Sequence, residues 1–129
     1  MPGSTAENGD VYHVHRDATV DRDDIRDAHP IVCVAFSPHD PVAWKGLPRI
    51  TTGAVAGDLP SPQRSSLPFT KDGYWTLRFV RSVRKDLTGH DELCRFWVTL
   101  PEPERTAVLR LYRDRNRKPR LPSPPIEQT

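Results

Sequence analysis

The sequence predicts a mainly β protein with a small α part: an SH3-like, strongly curved β-barrel with one C-terminal amphipathic helix packed on it. Three observations carry this. Short apolar, β-branched runs recur between Gly- and Pro-rich connections, the rhythm of short strands. Fourteen prolines in 129 residues interrupt the chain too often for a helical bundle. Helical periodicity is confined to a stretch near the C-terminal end, where Ala107, Val108, Leu111 and Tyr112 form a stripe. The length fits one domain with a modest core.

Residues 1–8 are small and polar and read as a disordered lead-in; the domain proper spans 9–115. Gly9-Asp10 is turn chemistry before a first strand, Val11 to Arg16, which places Val11, His13 and His15 on one face. Asp17 to Ala28 holds five aspartates and two arginines and reads as a mobile loop. The second strand, Ile31 to Phe36, carries no charge and is entered through Pro30, which holds His29 extended. It reads as the buried central strand, with His29 fixed where the loop enters the core.

Ser37 to Pro48 contains three prolines and a glycine and reads as a loop anchored by Trp44, leaving Arg49 to Val55 as a third short strand. Gly57 to Pro68 reads as another connection. Asp72-Gly73 then opens YWTLRFVRSV, the clearest alternating run, expected as one curved strand. A turn or short helix is expected around His90 to Leu93 and a strand near Arg95 to Val98. Thr99 and Glu102 have capping-box spacing, with Pro101 and Pro103 in the first turn of the helix. Residues 116–129 are basic and proline-rich and read as a disordered tail.

Cys33 and Cys94 lack zinc-site spacing and read as buried thiols. There is no apolar run of membrane-spanning length and no signal-peptide pattern, which points to the cytoplasm. The net charge of +2 hides an asymmetry. Met1 to Pro30 holds seven acidic and three basic residues, Arg78 to Arg120 twelve basic and six acidic. The second half is therefore expected to meet an anion, nucleic acid first. Arg78, Arg81, Arg84 and Lys85 are the candidate phosphate contacts, with Trp75 or Trp44 to stack a base. The plainer reading is a solvated strand face and two core tryptophans.

Four stretches resemble the MazF/PemK family of toxin ribonucleases. Gly9-Asp10-Val11-Tyr12, followed by Asp17-Ala18-Thr19, resembles the family's GD(V/L)(Y/I)WVD..DPT opening. His29 to Val34 resembles its RPVVVV strand, Ile50-Thr51-Thr52 its third-strand ending, and Val80 to Val83 its QIRTI stretch, with the last helix in the matching place. The resemblance implies an SH3-like barrel, a homodimer, and metal-independent endoribonuclease cleavage of single-stranded RNA by the neighbouring 2′-hydroxyl. It also implies an antitoxin partner that lays a disordered acidic segment over the RNA groove. Thr51 matches the family's catalytic threonine. The catalytic arginine does not carry over: His29 stands there, and Phe79 replaces a usual glutamine.

The chemistry requires a base, an acid, and donors around a charged phosphorane. His29 with Thr51 is sufficient for a slow version, and Arg26, three residues upstream, is the candidate replacement guanidinium. Because the position matches an arginine, His29 is expected to act as imidazolium. Taken alone, His29 reads as a strand-end histidine and Thr51 as an ordinary strand residue. A catalytically degenerate RNA-binding domain of the same fold is the main rival. A gyrase poison is disfavoured because PPIEQT lacks an apolar end. His13 and His15 form an H-x-H pair that a metal could bridge, but no spacing fixes further ligands, so no metal or other cofactor is assigned.

Overall fold

A computed structural model describes residues 5–20, 28–63 and 69–115. Its frame is an antiparallel sheet of seven strands: β1 (Asp10–His15), β2 (Ala28–Ala35), β3 (Ala43–Ile50), β4 (Leu59–Ser61), β5 (Gly73–Trp75), β6 (Arg81–Arg84) and β7 (Cys94–Thr99). One helix follows, α1 (Glu104–Arg113). The sheet order is β4-β5-β3-β2-β1-β7, and β6 joins the same edge of β3 as β5.

The charge-free stretch is the centre of the sheet, as expected of an apolar run with β-branched residues. Ile31, Val32, Cys33 and Val34 are buried, with β1 on one side and β3 on the other. Two apolar layers form on its two faces. Tyr12, Val14, Ile31, Cys33, Trp44, Val83 and Cys94 fill one. Val11, Val32, Val34, Leu47, Phe69 and Trp75 fill the other, with Leu100, which follows β7, and Val108 of α1. Gly9, at a positive φ of 99°, lets the chain enter β1 tightly. Its N–H donates to Cys33 O at 2.8 Å, and its carbonyl accepts from Leu100 N at 2.9 Å. Ala6, within the expected lead-in, is already part of the first layer.

Four expectations are corrected. The stretch expected as a Trp44-anchored loop is β3, an eight-residue strand. It tolerates its glycine and proline because its outer edge is shared. Ala43 to Gly46 pair with β6 and Arg49–Ile50 pair with β5, so Pro48 falls in the gap between them. Gly46 is required by contact: a Cβ there would overlap Ile31 Cγ2 and lie 2.8 Å from Val32 O. For the same reason YWTLRFVRSV is two strands, not one. β5 and β6 take successive parts of β3, and residues 76–80 turn outward between them, leaving Phe79 and Val80 exposed.

The sheet is also not closed into a barrel. Among the described residues, the segment that follows β1 meets β6 through an isolated Thr19–Val83 bridge and a Val20 N–H to Ser82 O bond of 2.8 Å, not through a ladder. Closure needs a continuous staggered ladder, and the division of β3's edge interrupts it. The capping box is not formed either. Thr99 Oγ1 donates to Asp10 at 2.7 Å, and Glu102 accepts from the Thr106 N–H at 3.0 Å and its hydroxyl at 2.7 Å. Asp10 stands opposite Thr99 in the β1–β7 ladder and so takes its hydroxyl.

Gly46→Ala should destabilise the protein by about 1–3 kcal/mol, the usual range for overpacking a filled core. Urea unfolding checks this; an unchanged midpoint would mean that Ile31 and Trp44 do not close on the glycine as described.

Candidate functional site

β2 begins three residues before the expected strand, so His29 is its second residue, paired with Val14 of β1. The β2–β3 register pairs Ile31 with Pro48, and its continuation sets His29 beside Ile50. Arg81, the first residue of β6, enters the same face opposite Gly46. The outward turn supplies Phe79. These elements enclose a recess of about 270 Å³ lined by His29, Pro48, Ile50, Phe79 and Arg81.

The recess has an apolar floor and a cationic side. Arg81 is 7% exposed despite its charge. Its guanidinium lies 5.4 Å from the Phe79 ring centroid, and that of Arg78 lies 5.2 Å from the same ring. Phe79 keeps 38% of its surface exposed at the mouth. An imidazole, a guanidinium and an exposed aromatic around a small apolar pocket can transfer a proton, hold an oxyanion and stack a planar ring.

The other expected site residues are placed elsewhere. Thr51 follows the end of β3, is exposed, and does not line the recess. Arg26 lies outside the described residues. Trp75 is fully buried and donates its indole N–H to Glu104 at 2.6 Å, so its ring has no face to offer a base. Trp44 is also buried, donating to Thr88 Oγ1 at 2.9 Å. Lys85 donates to Ser37 O at 2.5 Å and to Asp40 O, and sits 4.2 Å from the Phe36 ring centroid. Arg84 makes two bonds to the Asp86 carboxylate, at 3.0 and 2.6 Å, which hold Asp86 below its ordinary pKa. Arg78 donates to Gly53 O at 2.7 Å and lies 3.7 Å from Asp58 Oδ2. Of the five residues expected to bind RNA, Arg81 lines the recess and Arg78 sits over the ring at its mouth.

The H-x-H pair is divided between two structural tasks. His15 Nδ1 accepts the Asp17 N–H at 3.1 Å, capping a short turn. His13 stacks on Trp97, centroids 4.6 Å apart and planes within 5°. Among the described residues there is no group of three or more His, Cys, Asp or Glu side chains placed to hold a metal ion. No helix among them is long and apolar enough to cross a membrane. Cys33 and Cys94 are free, buried thiols, each pushed up to about 12 chiefly by burial.

Sequence reasoning missed Pro48, Ile50 and Phe79 as lining residues. The available signal was the R-F-V-R run: an aromatic between two arginines serves poorly as a core residue and well at a charged mouth. Fold and recess together define a mainly β domain with, among the described residues, one C-terminal α-helix and a cationic, aromatic-edged pocket. Compared with protein-family profiles, with characterised proteins and with solved structures, the chain matches none.

Burial, followed by the charges of His29 and Arg95, lowers the His13 pKa below its ordinary value. The unfolded chain therefore binds this proton more readily than the folded one. Stability contributed by neutral His13 is present above about pH 6.5, the free imidazole value, and is lost as the pH falls from there toward the lower folded pKa. Urea unfolding at pH 7.5 and 5.5 should show lower stability at the acid value and a smaller difference in His13→Gln. An equal difference in both proteins would contradict the assignment.

Proposed function

We propose that the chain binds single-stranded RNA at the His29–Arg81 recess and cleaves it there as a metal-independent endoribonuclease, by attack of a 2′-hydroxyl on the neighbouring phosphate. The observation that carries this reading is the shared recess itself: an imidazole and a buried guanidinium beside an exposed aromatic ring, in a volume of base size. Arg81 supplies the fixed positive charge, and its fork matches two non-bridging phosphate oxygens. This frees His29 from the imidazolium role expected from sequence. Neutral His29 takes the proton of the 2′-hydroxyl, and the attack forms a cyclic phosphate. The protonated imidazole or water then donates to the departing 5′-oxygen. Phe79 stacks the base beside the scissile bond.

As the resemblance to toxin ribonucleases implies, the chain in this reading works in the cytoplasm as a homodimer restrained by an antitoxin. The position of Thr51 outside the recess favours a second reading, an RNA-binding domain of the same architecture that does not cleave.

One experiment separates these readings: a pH–rate profile of RNA cleavage alongside RNA binding. Cleavage should fall toward acid pH, as His29 takes up a proton and can no longer act as the base. His29→Ala should lower the rate by about 10²-fold, the lower range for a lost general base, while retaining RNA binding. Arg81→Lys should lower it by about 10²-fold, as for loss of one preorganised donor. Binding without cleavage at any pH would select the second reading. Absence of both, or equal rates in wild type and His29→Ala, would overturn the catalytic assignment.

A further inference from the structure

A second concavity lies on the other face of β2. His29 faces the recess, whereas Val34 belongs to the layer beneath α1. Between Val34, Asn8 and the outer side of α1 is a groove of about 580 Å³, twice the recess in volume. Its apolar floor is Val34, Leu109 and Tyr112, and its rim carries Arg110, Arg113 and Arg115. We infer that this groove binds a phosphorylated nucleoside, with the planar base on the stacked Arg115–Tyr112 pair beside Leu109 and the phosphates between Arg110 and Arg113.

Four features select this ligand class. The volume lies within the roughly 300–1,000 Å³ of small-molecule sites. The groove is short, bounded by Asn8, Val34 of β2 and the stretch from Thr106 to Arg115, which suits a compact ligand better than an extended chain. The two guanidiniums of Arg110 and Arg113 on one concavity match a phosphate dianion or diphosphate, because each offers a planar fork of donors. The other side suits a flat ring: the Arg115 guanidinium stacks on Tyr112, Cζ 3.6 Å from the ring centroid, held by a 2.7 Å bond from Nη1 to Tyr112 O, and presents a planar surface on which a base can stack. A sugar phosphate would satisfy the rim and leave this surface uncovered. Asn8 and Thr106 add polar groups at the edge.

The charge balance of the rim is favourable. Asp114 is the acidic neighbour, 3.3 Å from Arg113 Nε through one oxygen. Arg110 has no side-chain acidic partner among the described residues. The two sources of such a ligand are a free nucleotide and the phosphorylated end of an RNA strand. The inference does not rest on the ribonuclease reading, because none of its residues lines the recess.

The test is calorimetric titration of the full chain with ADP, adenosine, pyrophosphate and a 5′-phosphorylated RNA tetramer. ADP is expected to saturate a single site and to bind at least tenfold more tightly than adenosine or pyrophosphate. The double variant Arg110→Gln/Arg113→Gln changes exposed residues and should retain the thermal unfolding profile while weakening ADP at least tenfold. Tyr112→Ala should remove the preference for ADP over pyrophosphate. Tight binding of the RNA tetramer with weak ADP, lost in the same double variant, supports the site and assigns the RNA end as its source. Pyrophosphate binding as tightly as ADP, unchanged affinity in the double variant, or no saturable binding by ADP or the tetramer would overturn the inference.

Discussion

β3 pairs with β2 on one side, while its other edge is divided between β6 and β5, with Pro48 at the division. Proline lacks the N–H that a continuous ladder would need, so the change of partner falls where it costs no hydrogen bond. The five residues between the two short strands cannot remain in the sheet and turn outward, carrying Phe79 to the surface. Arg81 re-enters beside Gly46, on the face that His29 shares from β2. The recess is thus a consequence of how β3 is paired, and the same division leaves the sheet open.

A buried polar frame fixes the far end of that edge. Arg49, 5% exposed, donates to Ser61 Oγ at 2.9 Å, Ser61 O at 2.6 Å and Lys71 O at 2.7 Å, with its guanidinium 4.1 Å from the Phe69 centroid. Burial lowers its pKa, opposed by Glu104 and Asp72. Its hydrogen bonds replace the water lost on burial. Glu104, on the first turn of α1, accepts the Trp75 indole N–H and ties the helix to β5. Removing either partner strands a buried polar group, which is costlier than never having one. The β4–β5 layer is therefore stiffly attached to β3, and the outward turn at 76–80 begins from a fixed point.

What the sequence revealed follows from how local each signal is. Ile31 to Phe36 could be read as a buried strand because six uncharged residues after a proline leave few alternatives, and Val108 and Leu111 announced the helix by spacing. β3 was hidden because Gly46 and Pro48 are breakers in any local reading; both are tolerated here for reasons of pairing and contact that lie far away in sequence. Alternation through 74–83 looked like one strand because the competition of β5 and β6 for one edge leaves no local trace. His29 was legible from its position before Pro30. Its association with Arg81, 52 positions along the chain, required the β2–β3–β6 register. Trp75 shows the opposite error: an aromatic among arginines suggested stacking, but its partner is the carboxylate of Glu104.

The central claim is that β3's divided edge builds an RNA site from His29, Phe79 and Arg81. It is tested most directly by NMR of the ¹³C,¹⁵N-labelled protein, titrated with a short single-stranded RNA methylated on every 2′-oxygen so that cleavage cannot proceed. Saturable shifts at the His29 imidazole, the Arg81 Nε–H and the Phe79 ring, with Thr51 and Trp75 little changed, are the predicted result. Saturable shifts centred on other residues, with those three groups unmoved, would contradict the account.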